Sequence, residues 1–313
     1  MSQSQGTWGA TAFAPAAITN FFEINYNSSP SPIGATGGGY ILSRGTRSKA
    51  TFAPASDCKV VTSVNGDRGY NARTTRRAVE LLLEARESPG LATIDQSVET
   101  PIGSGFGASA ASSTSAVYAA AAAAGISMPK RELALFAHRA ELLEQTGLGT
   151  VSVVFDAVGA GAITVPGEPG RAKFVTVPVH KDTRIVTAFV APYDKKDALS
   201  SERVSERINR LGRQALEGFL ADPTLDTLAR EGERFSSTLG LESPEVKRLI
   251  TLAKSAGARY ASQNMIGYSV HSITDADRSK RVARSMARIS DRVRVDVFEV
   301  GSVRAGLMKP SRR

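Results

Sequence analysis

The stretch that most constrains the fold is PIGSGFGASAASSTSAVYAAAAAAG, residues 101–125. Four of its first seven residues are Pro or Gly, small hydroxylated residues follow, and an alanine helix comes next. A bend this bare in front of a helix has two physical readings. Either an anion rests on the exposed amides of the helix start, which carry about half a positive charge, or two pieces of backbone pack too closely there for larger side chains.

The surroundings of this stretch read as alternating strands and helices. TAFAPA, FFEINY, GYILSRG and KVVTSV are short strands, and SSPSPIGATGGG is a turn-rich break between them. Residues 72–87 form a helix with Ala78, Leu81, Leu82 and Ala85 on one face. GLATIDQSV then delivers the chain to the glycine bend as a strand. SMPKRELALFAHRAELLEQTGLG is a helix with Ser127 as its N-cap, Pro129 in its first turn and Gly147 as its stop. AITV and FVTVPV are strands separated by the turn PGEPG. RIVTAFVAP is another, followed by helices near 201–221, 224–239 and 244–257, the strand IGYSVHSI, a basic helix and the strand RVRVDVFEV. This alternation gives α/β or α+β layers.

With 313 residues the chain is too long for one small core and suits two domains or one large one. Cys58 is the only cysteine, which excludes an intrachain disulfide and zinc sites built on cysteine pairs. The start MSQSQGTWGATAFAPAAIT lacks a basic, apolar leader, and the most apolar run, 116–126, falls short of the roughly 20 residues of a membrane span. The expectation is a soluble cytoplasmic protein with no membrane partner. The net charge of +9 is concentrated late, in DRSKRVARSMARISDRVRVD and the tail KPSRR. No aromatic residues interleave these charges as a base-stacking platform requires, so they read as a solvated face with no specific nucleic-acid partner. Cys58 beside its strand reads as an inert buried thiol. His180 and His271 read as structural, and the pair His138 and Glu141 has no second such pair with which to build a metal cluster.

Several phosphate loops compete for residues 101–111. A Walker loop ends in Gly-Lys-Ser/Thr, and no lysine occurs here. A dinucleotide fingerprint can be laid on Gly103, Gly105 and Ala108, but AAAAAGISMPKR supplies neither the strand nor the acid expected about 20 positions on. The third pattern, P-x-G-x-G-[LF]-G-x-S-A-[AS], is matched at Pro101, Gly103, Gly105, Phe106, Gly107, Ser109, Ala110 and Ala111. It resembles the nucleotide loop of the GHMP kinases. FAPAAITNFFEI near the N-terminus and GATGGGYILSRG after it resemble the archaeal pantoate kinase branch of that superfamily. So does ARYASQNMIGYSVHSI late in the chain, as does AHRAELLEQTGLGT followed by VPGEPG. These segments span nearly the whole chain in the expected order.

The resemblance implies an α+β, two-domain GHMP kinase fold. A ribosomal protein S5 domain 2-like N-terminal domain (1–175) would bind the nucleotide, and a ferredoxin-like C-terminal domain would cover 176–313. It implies ATP and Mg²⁺ as cofactors, pantoate as the small-molecule acceptor in archaeal coenzyme A biosynthesis, and a homodimer. The implied nucleotide contacts are Gly103, Ser104, Gly105, Phe106, Gly107, Ala108, Ser109 and Ala110. The implied metal ligands are the Ser109 hydroxyl and Glu141. Where many GHMP kinases carry a catalytic Asp, this chain has Thr150, with Asp156 six residues on, and the choice between them stays open. The branch's Gly-His pair is Ala16-Ala17 here. Thr19, Asn20 and Asn264 are candidates for contacting the acceptor. Its carboxylate calls for a bidentate arginine, for which Arg44, Arg47 and Arg73 stand in the right half of the chain, Arg73 being the one carried into the candidate site. Homoserine, mevalonate or a sugar remain alternative acceptors. A ligand-sensing member of the fold without catalysis and a nicotinamide-dependent oxidoreductase are the alternatives from other classes.

Overall fold

The computed structural model describes residues 8–25, 34–192 and 201–309. Two sheets organise them. The first joins β1 (Trp8–Asn25), β2 (Gly34–Pro54), β3 (Lys59–Val64), β4 (Gly90–Val98), β5 (Ala160–Val165), β6 (Lys173–Val177) and the late β11 (Gly306–Leu307). Its order is β11-β1-β2-β4-β3, with β5 pairing to the first part of β2 and β6 pairing to β5. β4 shows why these residues form a half-covered strand: Ala92, Ile94, Gln96 and Val98 turn inward while Leu91, Asp95 and Ser97 turn outward.

Four helices, α1 (Arg73–Ala85), α2 (Ala108–Ala123), α3 (Lys130–Leu143) and α4 (Thr150–Asp156), belong to this sheet. The alanine helix α2 is buried on nearly every side, between β1 and β2 on one flank and α1, α3 and α4 on the others. A helix enclosed on all sides has no room for charged or long polar side chains, and close neighbours keep most of its positions to Ala, Ser and Thr, with Val117 and Tyr118 the larger exceptions. Its composition is thus a packing requirement.

The second sheet contains β7 (Thr183–Ala191), β8 (Tyr260–Gln263), β9 (Tyr268–Asp275) and β10 (Arg294–Glu299) in the order β10-β7-β9-β8, all antiparallel. Counted within this unit the order is 4-1-3-2, which is the ferredoxin-like arrangement. α5 (Glu202–Ala221), α6 (Leu225–Leu239) and α7 (Pro244–Ser255) lie between its first two strands, and α8 (Ala276–Ala287) between its last two. α7 and α8 cover the sheet through Val246, Leu249, Val282 and Met286. α5 and α6 pack back onto β1, where Phe21, Phe219 and Phe235 share one buried cluster.

Several local expectations need correction. SSPSPIGATGGG is not wholly a turn: residues 34–39 are the first part of β2, and 28–33 lie outside the described residues. The glycines sit in a strand because a side chain at Gly38 would collide with Phe21 and Leu228. Ser127 does not cap α3; the helix starts after Pro129, since a residue preceding proline is pushed out of the helical region. α3 also stops before Gly147, with Gln145 taking a left-handed φ of 55°. TVSVVFD forms the short helix α4, and β8 and β11 have no counterpart in the expected elements. Cys58 is exposed, not buried. In the basic segment, α8 buries Ser279, Val282 and Met286 and leaves its arginines on the other face. The end of the tail, residues 310–313, lies outside the described residues. No helix among the described residues is long and apolar enough to cross a membrane.

Candidate active site

The glycine bend turns on three left-handed residues, Gly103 (φ 80°), Gly105 (φ 78°) and Gly107 (φ 62°), the last standing at the N-cap of α2. The Ala111 amide makes the helix's first i→i−4 bond, to Gly107 O, so the amides of Ala108, Ser109 and Ala110 precede the intrahelical ladder. The Phe106 ring is buried in the core and its carbonyl accepts from the Ala17 amide at 3.1 Å. Ser104 departs from expectation in one respect. Its hydroxyl donates to the Ala191 carbonyl at 2.6 Å and is not available to a phosphate.

Ser109 and Glu141 meet, although 32 residues apart. The Ser109 hydroxyl donates to Glu141 Oε1 at 2.6 Å, and Glu141 is 1 % exposed. The carboxylate packs directly over Gly147, where a Cβ would collide with both carboxylate oxygens. Gly147 therefore serves close approach to Glu141 and does not terminate α3. Hydroxyl and carboxylate oxygens are hard donors that suit Mg²⁺, which takes only one or two protein ligands and fills the rest with water and phosphate. Among the described residues no cluster of three or more His, Cys, Asp or Glu offers an all-protein metal cage.

Beside this pair opens a cavity of about 770 Å³. Its walls include Thr19 from β1, Gly37, Gly38 and Gly39 from β2, residues 145–150 between α3 and α4, Phe174 from β6, and Met265 and Ile266. Thr150 heads α4 and lies against the glycine bend: a Cβ on Gly107 would sit 2.9 Å from its methyl group. No charged side chain lines the cavity among the described residues.

Other expected contacts lie elsewhere. Asn20 is fully buried on the far side of β1, its amide donating to Tyr40 Oη at 2.8 Å and to Leu228 O at 3.2 Å. Asp156 ends α4 and accepts from the Gly170 amide at 2.8 Å; burial pushes its carboxyl up, against the pull of Gly170, Arg304 and Arg131. Arg73 starts α1 and faces Glu144 at 3.5 Å. Arg44 pairs with Asp296 over the Phe298 ring, and Arg47 pairs with Glu99. None of these five side chains lines the cavity.

Asn264 is fully buried beneath the glycine bend, against Gly105, and its Oδ1 lies 2.8 Å from His271 Nδ1. Burial pushes the His271 imidazole down to about 3, so it is neutral and donates from Nδ1 to Asn264. The folded value lies below the ordinary one, so this ring's stabilisation is complete above about pH 6.5 and is lost as pH falls. Between pH 7.5 and 5 it should cost the fold about 2 kcal/mol. Denaturant titrations at the two pH values measure the loss, and the His271 ring resonances should not move between them.

The site is thus a glycine bend at the start of α2, with an acid and a hydroxyl at that start and an uncharged cavity of about 770 Å³ alongside. The GHMP kinases N terminal domain matches residues 73–157, the span from α1 to α4. A pantoate kinase of Methanospirillum hungatei JF-1 is 29% identical over 84% of this chain and 86% of its own length. One from Methanocaldococcus jannaschii is 26% identical over 84% of this chain and 92% of its own. A solved phosphotransferase related to the CoA biosynthesis pathway shares the fold, with a TM-score of 0.83 over 96% of this chain and 98% of its own at 24% identity. Residues 73–157 therefore carry a GHMP kinases N terminal domain.

The part of the site that sequence reasoning missed is the turn 145–149 with its close approach to Glu141. Its signal was present in TGLG, whose glycines admit that approach.

Proposed function

We infer that the chain is a pantoate kinase, moving the γ-phosphoryl group of ATP to a hydroxyl of pantoate and yielding 4-phosphopantoate. The observation that carries this reading is the Ser109–Glu141 contact at the start of α2, opening beside an uncharged, largely apolar cavity. Similarity to two pantoate kinases along 84% of the chain supports the choice of acceptor. The apolar walls suit the acceptor's two methyl groups.

Phosphoryl transfer asks chiefly for positioning and charge neutralisation. The amides from Gly103 to Ala110, backed by the positive end of α2, hold the nucleotide phosphates without an ammonium group. Ser109 and Glu141 would hold Mg²⁺, which neutralises charge on the phosphate oxygens. Thr150 and Thr19 orient the acceptor. A threonine hydroxyl is no base at neutral pH, so the reaction leans on proximity, which is worth roughly 7–11 kcal/mol when the geometry is right. The acceptor's carboxylate is received by uncharged donors, Gln145 and Thr146 among them. On this reading residues 1–175 are the nucleotide-binding domain, to which the end of β6 and the late strand β11 also belong, and the rest of 176–313 is the second. The enzyme is a cytoplasmic homodimer on an archaeal route to coenzyme A.

Following ADP release with ATP, Mg²⁺ and pantoate tests the reading. Turnover is expected with pantoate and not with mevalonate or homoserine. Nucleotide binding without turnover on any hydroxy acid would instead mark a sensing protein. Thr150→Val should lower kcat by about 10²-fold, the cost of a misplaced acceptor. Asp156→Asn should stay within twofold, because its partner is the Gly170 amide, which the asparagine oxygen still satisfies.

A further inference from the structure

We propose that the second sheet sets the shape of the phosphate loop, through a strap in which Ser269 and Ser104 are positioning residues. The Ser269 hydroxyl, on β9, donates to the Ser104 carbonyl at 2.6 Å. The Ser104 hydroxyl donates in turn to the carbonyl of Ala191, at the end of β7, also at 2.6 Å. Both serines are fully buried, and the Ser269 bond is wholly so.

The backbones confirm how tightly the two pieces are seated. A Cβ on Gly267 would fall within 2.5–2.8 Å of Ser104 backbone atoms, and one on Gly105 would be 2.9 Å from Asn264 Cβ. On the other flank the loop is tied to β1 by the Ala17–Phe106 bond. A loop with three left-handed glycines has unusually many conformations to lose. An anion site made of amides works only when those amides are already aimed. The strap removes that freedom before any ligand arrives. Ser104 and Ser269 act on the ligand only through the loop's backbone.

The inference rests on residues 101–107 being the nucleotide loop, and its test separates the two claims. Ser269→Ala is compared with Ser272→Ala. Ser272 lies on the same strand, is equally buried, and donates to the Val186 carbonyl at 3.1 Å, away from the loop. Without nucleotide, backbone amides 103–107 should exchange hydrogen faster in Ser269→Ala and at the wild-type rate in Ser272→Ala. The Kd and KM for ATP should rise about tenfold in Ser269→Ala, the worth of one buried hydrogen bond, while the KM for pantoate stays within twofold. Ser104→Ala, which removes the other bond, should repeat this pattern. Unchanged exchange at 103–107 in both Ser269→Ala and Ser104→Ala, or equal acceleration in Ser272→Ala, overturns the strap. A wild-type protein that fails to bind ATP overturns the nucleotide reading, and the exchange rates still decide the strap.

Discussion

Glu141→Gln is expected to lower kcat by about 10³-fold, the scale on which a charged group at the transferring phosphoryl is felt. The substitution keeps the side chain's shape and leaves an oxygen to accept from the Ser109 hydroxyl, so the contact at 2.6 Å survives. What it removes is the second carboxylate oxygen, and with it the group's capacity to be an anion, at a residue only 1 % exposed. Because the amide has the same shape and still accepts from Ser109, the melting temperature should stay within a few degrees of the wild type. The half-saturating Mg²⁺ concentration should rise with the loss of turnover. Ser109→Ala, which leaves the carboxylate in place, should cost less, about tenfold to a hundredfold. A Glu141→Gln protein that turns over at the wild-type rate in saturating Mg²⁺ would remove Glu141 from the metal site.

What the sequence disclosed, and what it concealed, follows from the range of the interactions. Helices with one apolar face, such as α5 with Ile208, Leu211, Ala215 and Phe219, were legible because their signal is local and periodic. So was the glycine bend, whose residues answer to backbone geometry at their own positions. Residues that depend on a distant partner were not. Asn20 and Thr19 are adjacent and both polar, yet one meets α6 and the other the cavity, a difference created by where β1 lies between them. Asp156 was a candidate by spacing alone; helix α4 carries it to the opposite end from Thr150. An arginine for the acceptor was expected from charge, but Arg44, Arg47 and Arg73 each find an acid of this chain. Ser104 looked like a phosphate donor because its neighbours are glycines, and only the second sheet shows its hydroxyl to be engaged.

Gly105→Ala should raise the Kd for ATP by about 10²-fold, as expected when groups that must be aimed are displaced by about an ångström. Two separate costs fall on this position. Its φ of 78° lies in the left-handed region, which costs an alanine roughly 1–2 kcal/mol. Its new Cβ would also stand 2.9 Å from Asn264 Cβ and 3.2 Å from that residue's carbonyl carbon. Neither atom is the tip of a flexible chain, so the loop must yield and its amides turn from the phosphates. Gly125 separates the two costs, because its φ is 68° but nothing lies within 4 Å of an added Cβ. Gly125→Ala should lose similar backbone stability while binding ATP as the wild type does. Isothermal titration of both variants decides the matter. Equal ATP affinity in Gly105→Ala and the wild type would mean that the nucleotide does not read the shape of this loop.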